Sequence, residues 1–165
     1  MTTDVSLVVT LDYAKNCPRN QQRKGQNSNQ NQGKRQKVQV RQGRLNFTTI
    51  ADVPEGAPVM TGIFSVLNYP AVILFDSGAS HSFISAKFSA KCQLPFNHTN
   101  GGITISTPGG RVATYQINRH VPIKLGSLVI KTTLLILGLD SVDIILGTDW
   151  LTRHQAIIDI AARAI

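Results

Sequence analysis

The pattern of apolar and polar positions divides the chain in two. Residues 16–44 are mostly Gln, Asn, Lys, Arg and Gly, with too little to bury against the entropy cost of ordering them. This stretch reads as a disordered basic linker, bounded at residues 18–50. From about Ala57 onward, short β-branched runs alternate with turn residues, the texture of a compact β-rich domain. Strands are expected at 59–66, 71–75, 103–106, 112–117, 121–125, 128–137 and 142–146. Gly126-Ser127 between two apolar runs is a hairpin signal, and Thr107-Pro108-Gly109-Gly110-Arg111 joins two strands at an exposed tip. Helix is scarce. Residues 82–91 place Ile84 and Phe88 on one face, and residues 149–154 offer a second short helix. The predicted fold class is all-β with one or two short helices.

The chain of 165 residues carries a formal net charge of +8, which suggests nucleic-acid binding until its location is considered. Residues 1–51 hold nine Lys or Arg against only Asp4 and Asp12, whereas residues 52–165 hold eight basic and seven acidic side chains. The charge therefore describes the arm and not the folded part. Residues 15–44 can attract phosphates by counterion release, weakly and without sequence preference; a solubilising spacer is the equal alternative. Cys17 and Cys92 have no partners at disulfide or metal-ligand spacing, so a reduced, intracellular chain is expected. No apolar run approaches a membrane span, and residues 5–9 are too short for a secretory signal, so neither insertion nor secretion is expected.

The stretch with candidate chemistry is Ala71-Val72-Ile73-Leu74-Phe75-Asp76-Ser77-Gly78-Ala79-Ser80. Its five leading apolar residues predict a strand buried on both faces, which delivers a carboxylate into a turn of small residues. Burial raises a carboxyl pKa unless the charge is stabilised, so Asp76 is either hydrogen-bonded into the turn or held there for use. Asp-Ser-Gly is also a common turn tripeptide, and on its own it would be read as a cap.

Residues 72–80 resemble the signature of the retropepsin-like aspartic proteases, in particular those of gypsy-type long-terminal-repeat retrotransposons: an apolar strand, Asp, Ser or Thr, Gly, and a small residue. About seventy residues later, Val142-Asp143-Ile144-Ile145-Leu146-Gly147-Thr148-Asp149-Trp150-Leu151 is similar to the second signature of that family, an apolar strand ending in Gly before a short helix. The resemblance covers roughly residues 57–160. It implies a retropepsin-like closed β-barrel domain at residues 51–165 that works as a homodimer on polypeptide, with a Gag-Pol polyprotein as the expected substrate.

By the same resemblance, Asp76 is the catalytic residue and faces its symmetry mate, the two carboxyls sharing one proton. Ser77 ties the two active-site turns together and Gly78 lets them pack closely. Ala79 and the flap tip of Thr107, Pro108, Gly109 and Gly110 contact substrate, and the strand around Asp159 contributes to the dimer interface. The chain holds one Asp-Ser-Gly, so a two-carboxylate site requires two copies. No cofactor or metal is implied, and the expected location is the cytoplasm or a virus-like particle.

Residues 1–17 end in Asp12-Tyr13-Ala14-Lys15-Asn16-Cys17, which resembles the tail of a retroviral zinc knuckle with Asp12 where His is needed. One thiolate cannot close a zinc site, so the segment reads as a remnant. His81, His98, His120 and His154 are scattered and receive no chemistry, and Trp150 reads as a packing anchor. Alternatives to an active protease are a catalytically silent dimerisation or binding module, a retrotransposon relic, and a nucleic-acid binder acting through the arm.

Overall fold

The structure, a computed structural model, describes residues 41–46, 59–159 and 165. The zinc-knuckle remnant and most of the basic linker lie outside these residues. Among the described residues the fold is all-β, with eight strands and two short helices.

Strands β2 (Val59–Val66) and β3 (Tyr69–Asp76) form an antiparallel hairpin in register along their whole length. It turns at Leu67 and Asn68, both with positive φ (49° and 68°), the backbone twist that suits a two-residue hairpin. β3 then runs parallel to β8 (Ile144–Leu146), and β8 pairs antiparallel with β4 (Phe83–Ser85). β4 lies parallel to β7 (Leu128–Leu137), which pairs with β6 (Gly110–Leu125), and β6 returns to β2. These pairings close a ring of six strands, β6-β2-β3-β8-β4-β7. Closure removes the exposed edges that an open sheet would present.

Outside the ring, β5 (Phe96–Thr107) makes a long hairpin with β6, and β1 (Arg41–Arg44) lies parallel against β5. Both hairpin tips fall where the turn residues predict. Thr107 pairs with Gly110 across Pro108-Gly109, and Leu125 pairs with Leu128 across Gly126-Ser127. The φ of Gly110 is +122° and that of Gly126 is +59°, conformations open to glycine at little cost.

Two of these expectations change in ways that bear on the site. The helix predicted over residues 82–91 begins only after Ser85, as α1 (Ala86–Lys91), because Phe83, Ile84 and Ser85 are drawn into the slot between β8 and β7. Ser85 ends the strand and caps the helix, its Oγ accepting from the Phe88 N–H at 2.9 Å. Residues 41–46 fall within the stretch read as linker, yet 41–44 form β1 and Leu45 is buried.

The interior divides along β3, whose side chains alternate between two clusters. Ile73 and Phe75 enter one with Ile123, Leu134, Ile144 and Trp150; Leu74 enters the other with Ala79, Phe83, Ile105 and Ile145. In the first, Phe75 packs edge-on against Phe64 (ring centroids 5.7 Å) and Trp150 (5.8 Å). Trp150 comes from α2 (Thr148–Arg153) and donates its indole N–H to Thr132 Oγ1 at 3.1 Å. Phe75 thus links the β2–β3 hairpin to α2. Phe75→Ala is expected to cost about 3–5 kcal/mol, measured by chemical denaturation followed by circular dichroism.

Candidate active site

β3 carries Asp76 into the protein at its last residue, and the carboxyl has no exposed surface. The turn that follows folds back on it. The Gly78 N–H donates to Asp76 Oδ1 at 2.7 Å and the Ala79 N–H donates to the Asp76 carbonyl at 3.2 Å. Oδ2 is buried with no hydrogen-bond partner among the described residues. Burial pushes the Asp76 carboxyl above its ordinary range, and the Gly78 and Ala79 N–H groups oppose that rise without cancelling it. One oxygen is therefore fixed by the backbone while the other stays uncommitted, a poor arrangement for a mere turn cap and a suitable one for proton transfer.

Ser77 is exposed beside this carboxyl. A Cβ at Gly78 would displace the Asn46 amide and stand 3.1 Å from Asp76 Oδ1. Ala79 has no exposed surface and belongs to the second apolar cluster, which also contains Leu45. At the tip of the β5–β6 hairpin, Pro108, Gly109 and Gly110 are exposed and the Thr107 hydroxyl donates to the Gly110 carbonyl at 2.9 Å.

The second signature braces the first. Gly147 follows β8 and meets the turn after Asp76 backbone to backbone; a Cβ on it would hit the His81 carbonyl and lie 2.7 Å from that of Ala79. The Ala79 carbonyl accepts from Thr148 twice, from its N–H at 2.8 Å and its hydroxyl at 3.1 Å. Ser82 Oγ accepts from the Gly147 N–H at 3.1 Å and donates to Asp149 Oδ1 at 2.6 Å. Sequence reasoning missed Ser82 and left Asp149 without a role; the small residues Ser77 to Ser80, with Ser82 just beyond His81, were the available signal. Asp143 is also structural, accepting from the Val72 N–H at 2.8 Å through Oδ2 and so fastening β8 to β3.

The histidines do not converge. His81 shares a 2.8 Å hydrogen bond with Ser80, His98 and His120 are exposed, and His154 stacks on Trp150 with centroids 4.7 Å apart. Burial, helped by Arg153, pushes His154 below its ordinary pKa. Cys92 is buried and its thiol is pushed up, chiefly by burial, which makes it a poor nucleophile. Among the described residues no cluster of three His, Cys, Asp or Glu side chains is placed to hold a metal.

The raised pKa of Asp76 has a defined sign in stability. Folding favours its protonated form, so the stabilising contribution is present below the ordinary value of 3.8 and is lost as pH rises through the folded value. Asp76→Asn is therefore expected to be more stable than the parent at neutral pH, by on the order of 1–3 kcal/mol. The advantage should vanish in acid below the ordinary Asp value, a trend that thermal melts across the pH range will measure.

DNA damage-inducible protein 1 of Cryptococcus neoformans is 30% identical over 106 residues, which are 61% of this chain and 23% of that protein. Its counterpart from Neurospora crassa is 34% identical over 97 residues, 56% of this chain and 21% of that protein. The chain thus spans under a quarter of the length of these curated relatives. Among solved structures, the retroviral protease-like domain of Ddi1 from Leishmania major aligns with a TM-score of 0.49 at 20% identity, covering 62% of this chain and 82% of that one. EIAV protease in complex with an inhibitor aligns at 0.48 and 26% identity, covering 61% and 91%. The turn that buries Asp76 and the Gly147 junction that braces it both lie within residues 39–165, the span that matches the retroviral aspartyl protease family, to which this chain belongs.

Proposed function

We propose that this domain is an aspartic endopeptidase in which Asp76 of one copy and Asp76 of a second share a cleft and a proton. The observation that carries the reading is the divided carboxyl of Asp76, with Oδ1 held by Gly78 and Oδ2 buried without a hydrogen-bond partner among the described residues. The ionised member of the pair takes a proton from water as it attacks the scissile carbonyl, and the protonated member donates to the carbonyl oxygen. Collapse of the tetrahedral intermediate returns a proton to the leaving amine. Ser77 ties the two turns together, and the tip from Thr107 to Gly110 closes over an extended polypeptide, with Ala79 beneath it.

Among the described residues, the places of three other carboxylates support a second copy as the source of the second catalytic carboxyl. Asp143 is bound to the Val72 N–H, Asp149 to Ser82, and Asp140 is exposed. None shares the turn of Asp76. Ile157, beside Asp159, is 76% exposed, an apolar surface suited to a symmetric contact. The order of knuckle remnant, basic linker and protease supports a retrotransposon polyprotein as substrate, processed in the cytoplasm or a virus-like particle. A second reading is a catalytically silent protease-fold module within a longer protein, in line with the match to under a quarter of DNA damage-inducible protein 1.

Digestion of a mixed peptide library by the full chain at pH 4 to 7 separates them. Turnover should rise more steeply than linearly with protein concentration, and Asp76→Asn should reduce it by roughly 10²–10⁴-fold, the contribution of a positioned acid–base group. Absence of turnover from a folded dimer supports the silent module.

A further inference from the structure

We infer that residues 41–46 occupy the peptide groove of their own chain, as an intramolecular peptide that fills one half of the cleft and competes with substrate. This rests on the endopeptidase reading and adds to it a built-in occupant.

The main chain of this segment is held from both sides. On one side β1 runs parallel to the flap strand β5, from Arg41 opposite Ile103 to Arg44 opposite Ser106, and the Leu45 N–H donates to the Ser106 carbonyl at 2.9 Å. On the other side stands Ser80, four residues beyond Asp76. Its N–H donates to the Arg44 carbonyl at 2.9 Å, and its hydroxyl accepts from the Arg44 N–H at 2.6 Å. An extended segment sandwiched between a flap strand and a catalytic turn by backbone hydrogen bonds is bound in the way that proteins capture peptides by strand addition.

The side chains alternate as a bound peptide requires. Gln42 and Arg44 are exposed, while Gly43 and Leu45 are buried. Leu45, 1% exposed, fills the apolar pocket formed with Ala79, Phe83, Ile105 and Ile145. Gly43 sits so close to the pocket wall that a Cβ would crowd Ile105 and lie 3.0 Å from His81 Nδ1. The segment then arrives at the chemistry, for the Asn46 amide packs over Gly78 beside Asp76 Oδ1.

The barrel does not need this strand, because the six-strand ring closes without β1. Residues 41–46 also belong to a polar stretch that lacks the composition of a core element. Their order comes from the groove. The groove accordingly takes an extended peptide with an aliphatic side chain in the pocket lined by Ala79 and a polar residue next in sequence at Asp76. A tethered occupant of this kind competes at an effective concentration of about millimolar.

Peptide binding to the full chain tests this, with Asp76→Asn in every version so that nothing is cleaved. The probe is a fluorescein-labelled peptide of residues 39–48. Leu45→Asp puts a charge in the apolar pocket, and Arg44→Pro removes the N–H donated to Ser80 without touching the core. Each should release the segment and bind the probe at least about tenfold more tightly than the chain with the segment intact. A probe carrying Leu45→Asp should not bind.

Equal affinity for all three chains, or equal binding of the altered probe, overturns the inference. Loss of folding in both variants overturns it too, since the segment would then be a fixed part of the barrel. Binding is read without hydrolysis, so displacement without any Asp76-dependent turnover defeats only the endopeptidase reading. Turnover without displacement defeats only this one.

Discussion

Gly147 meets the carbonyls of Ala79 and His81 with no side chain between them, and the site depends on that approach. The close contact brings Thr148 within reach of the Ala79 carbonyl and Ser82 within reach of both the Gly147 N–H and Asp149. These bonds fix the turn from Asp76 to Ser82 against the end of β8. Without a rigid turn the Gly78 N–H could not hold Asp76 Oδ1 at 2.7 Å while the second oxygen has no partner among the described residues. A buried acceptor in that state is costly and persists only where the surroundings over-determine it. The cost is met by the packing of β3, β8 and α2 around Phe75 and Trp150.

Much of this was legible in the residues themselves. The apolar run before Asp76 announced a strand buried on both faces, and β3 is such a strand. Gly126-Ser127 and the Pro108-Gly109 tip marked two hairpins correctly because turn chemistry is local. The predicted strand at 103–106 was too short, since β5 begins at Phe96 and its polar early half, through His98, pairs with β6 before an irregularity that ends at Ile103. Polar side chains hide a strand whose order comes from a neighbour's hydrogen bonds.

The remaining misses have the same origin. Nothing in Arg41-Gln42-Gly43-Arg44 suggests a strand, because its partners Ile103 to Ser106 and Ser80 are distant in sequence. Phe83, Ile84 and Ser85 fit a helical spacing as well as an extended one, and the slot between β7 and β8 decided the matter. The pairing of Ser82 with Asp149, 67 positions apart, has no local signature at all. Local pattern reports local energetics; contacts made across the barrel are set by closure, which no window of the sequence contains.

The hairpin at Leu67-Asn68 fixes which residue of β3 stands opposite which residue of β2, ending with Asp76 opposite Val59. Along β3, Leu74 and Asp76 share one face while Ile73 and Phe75 share the other, because side chains alternate with a period of two. A slip of a single residue would exchange the faces, carrying a carboxylate into the aromatic interior and a phenyl ring into the cleft. The folding code and the chemistry are therefore written in the same parity. No sequence change that shifts the frame of this hairpin can spare one and lose the other.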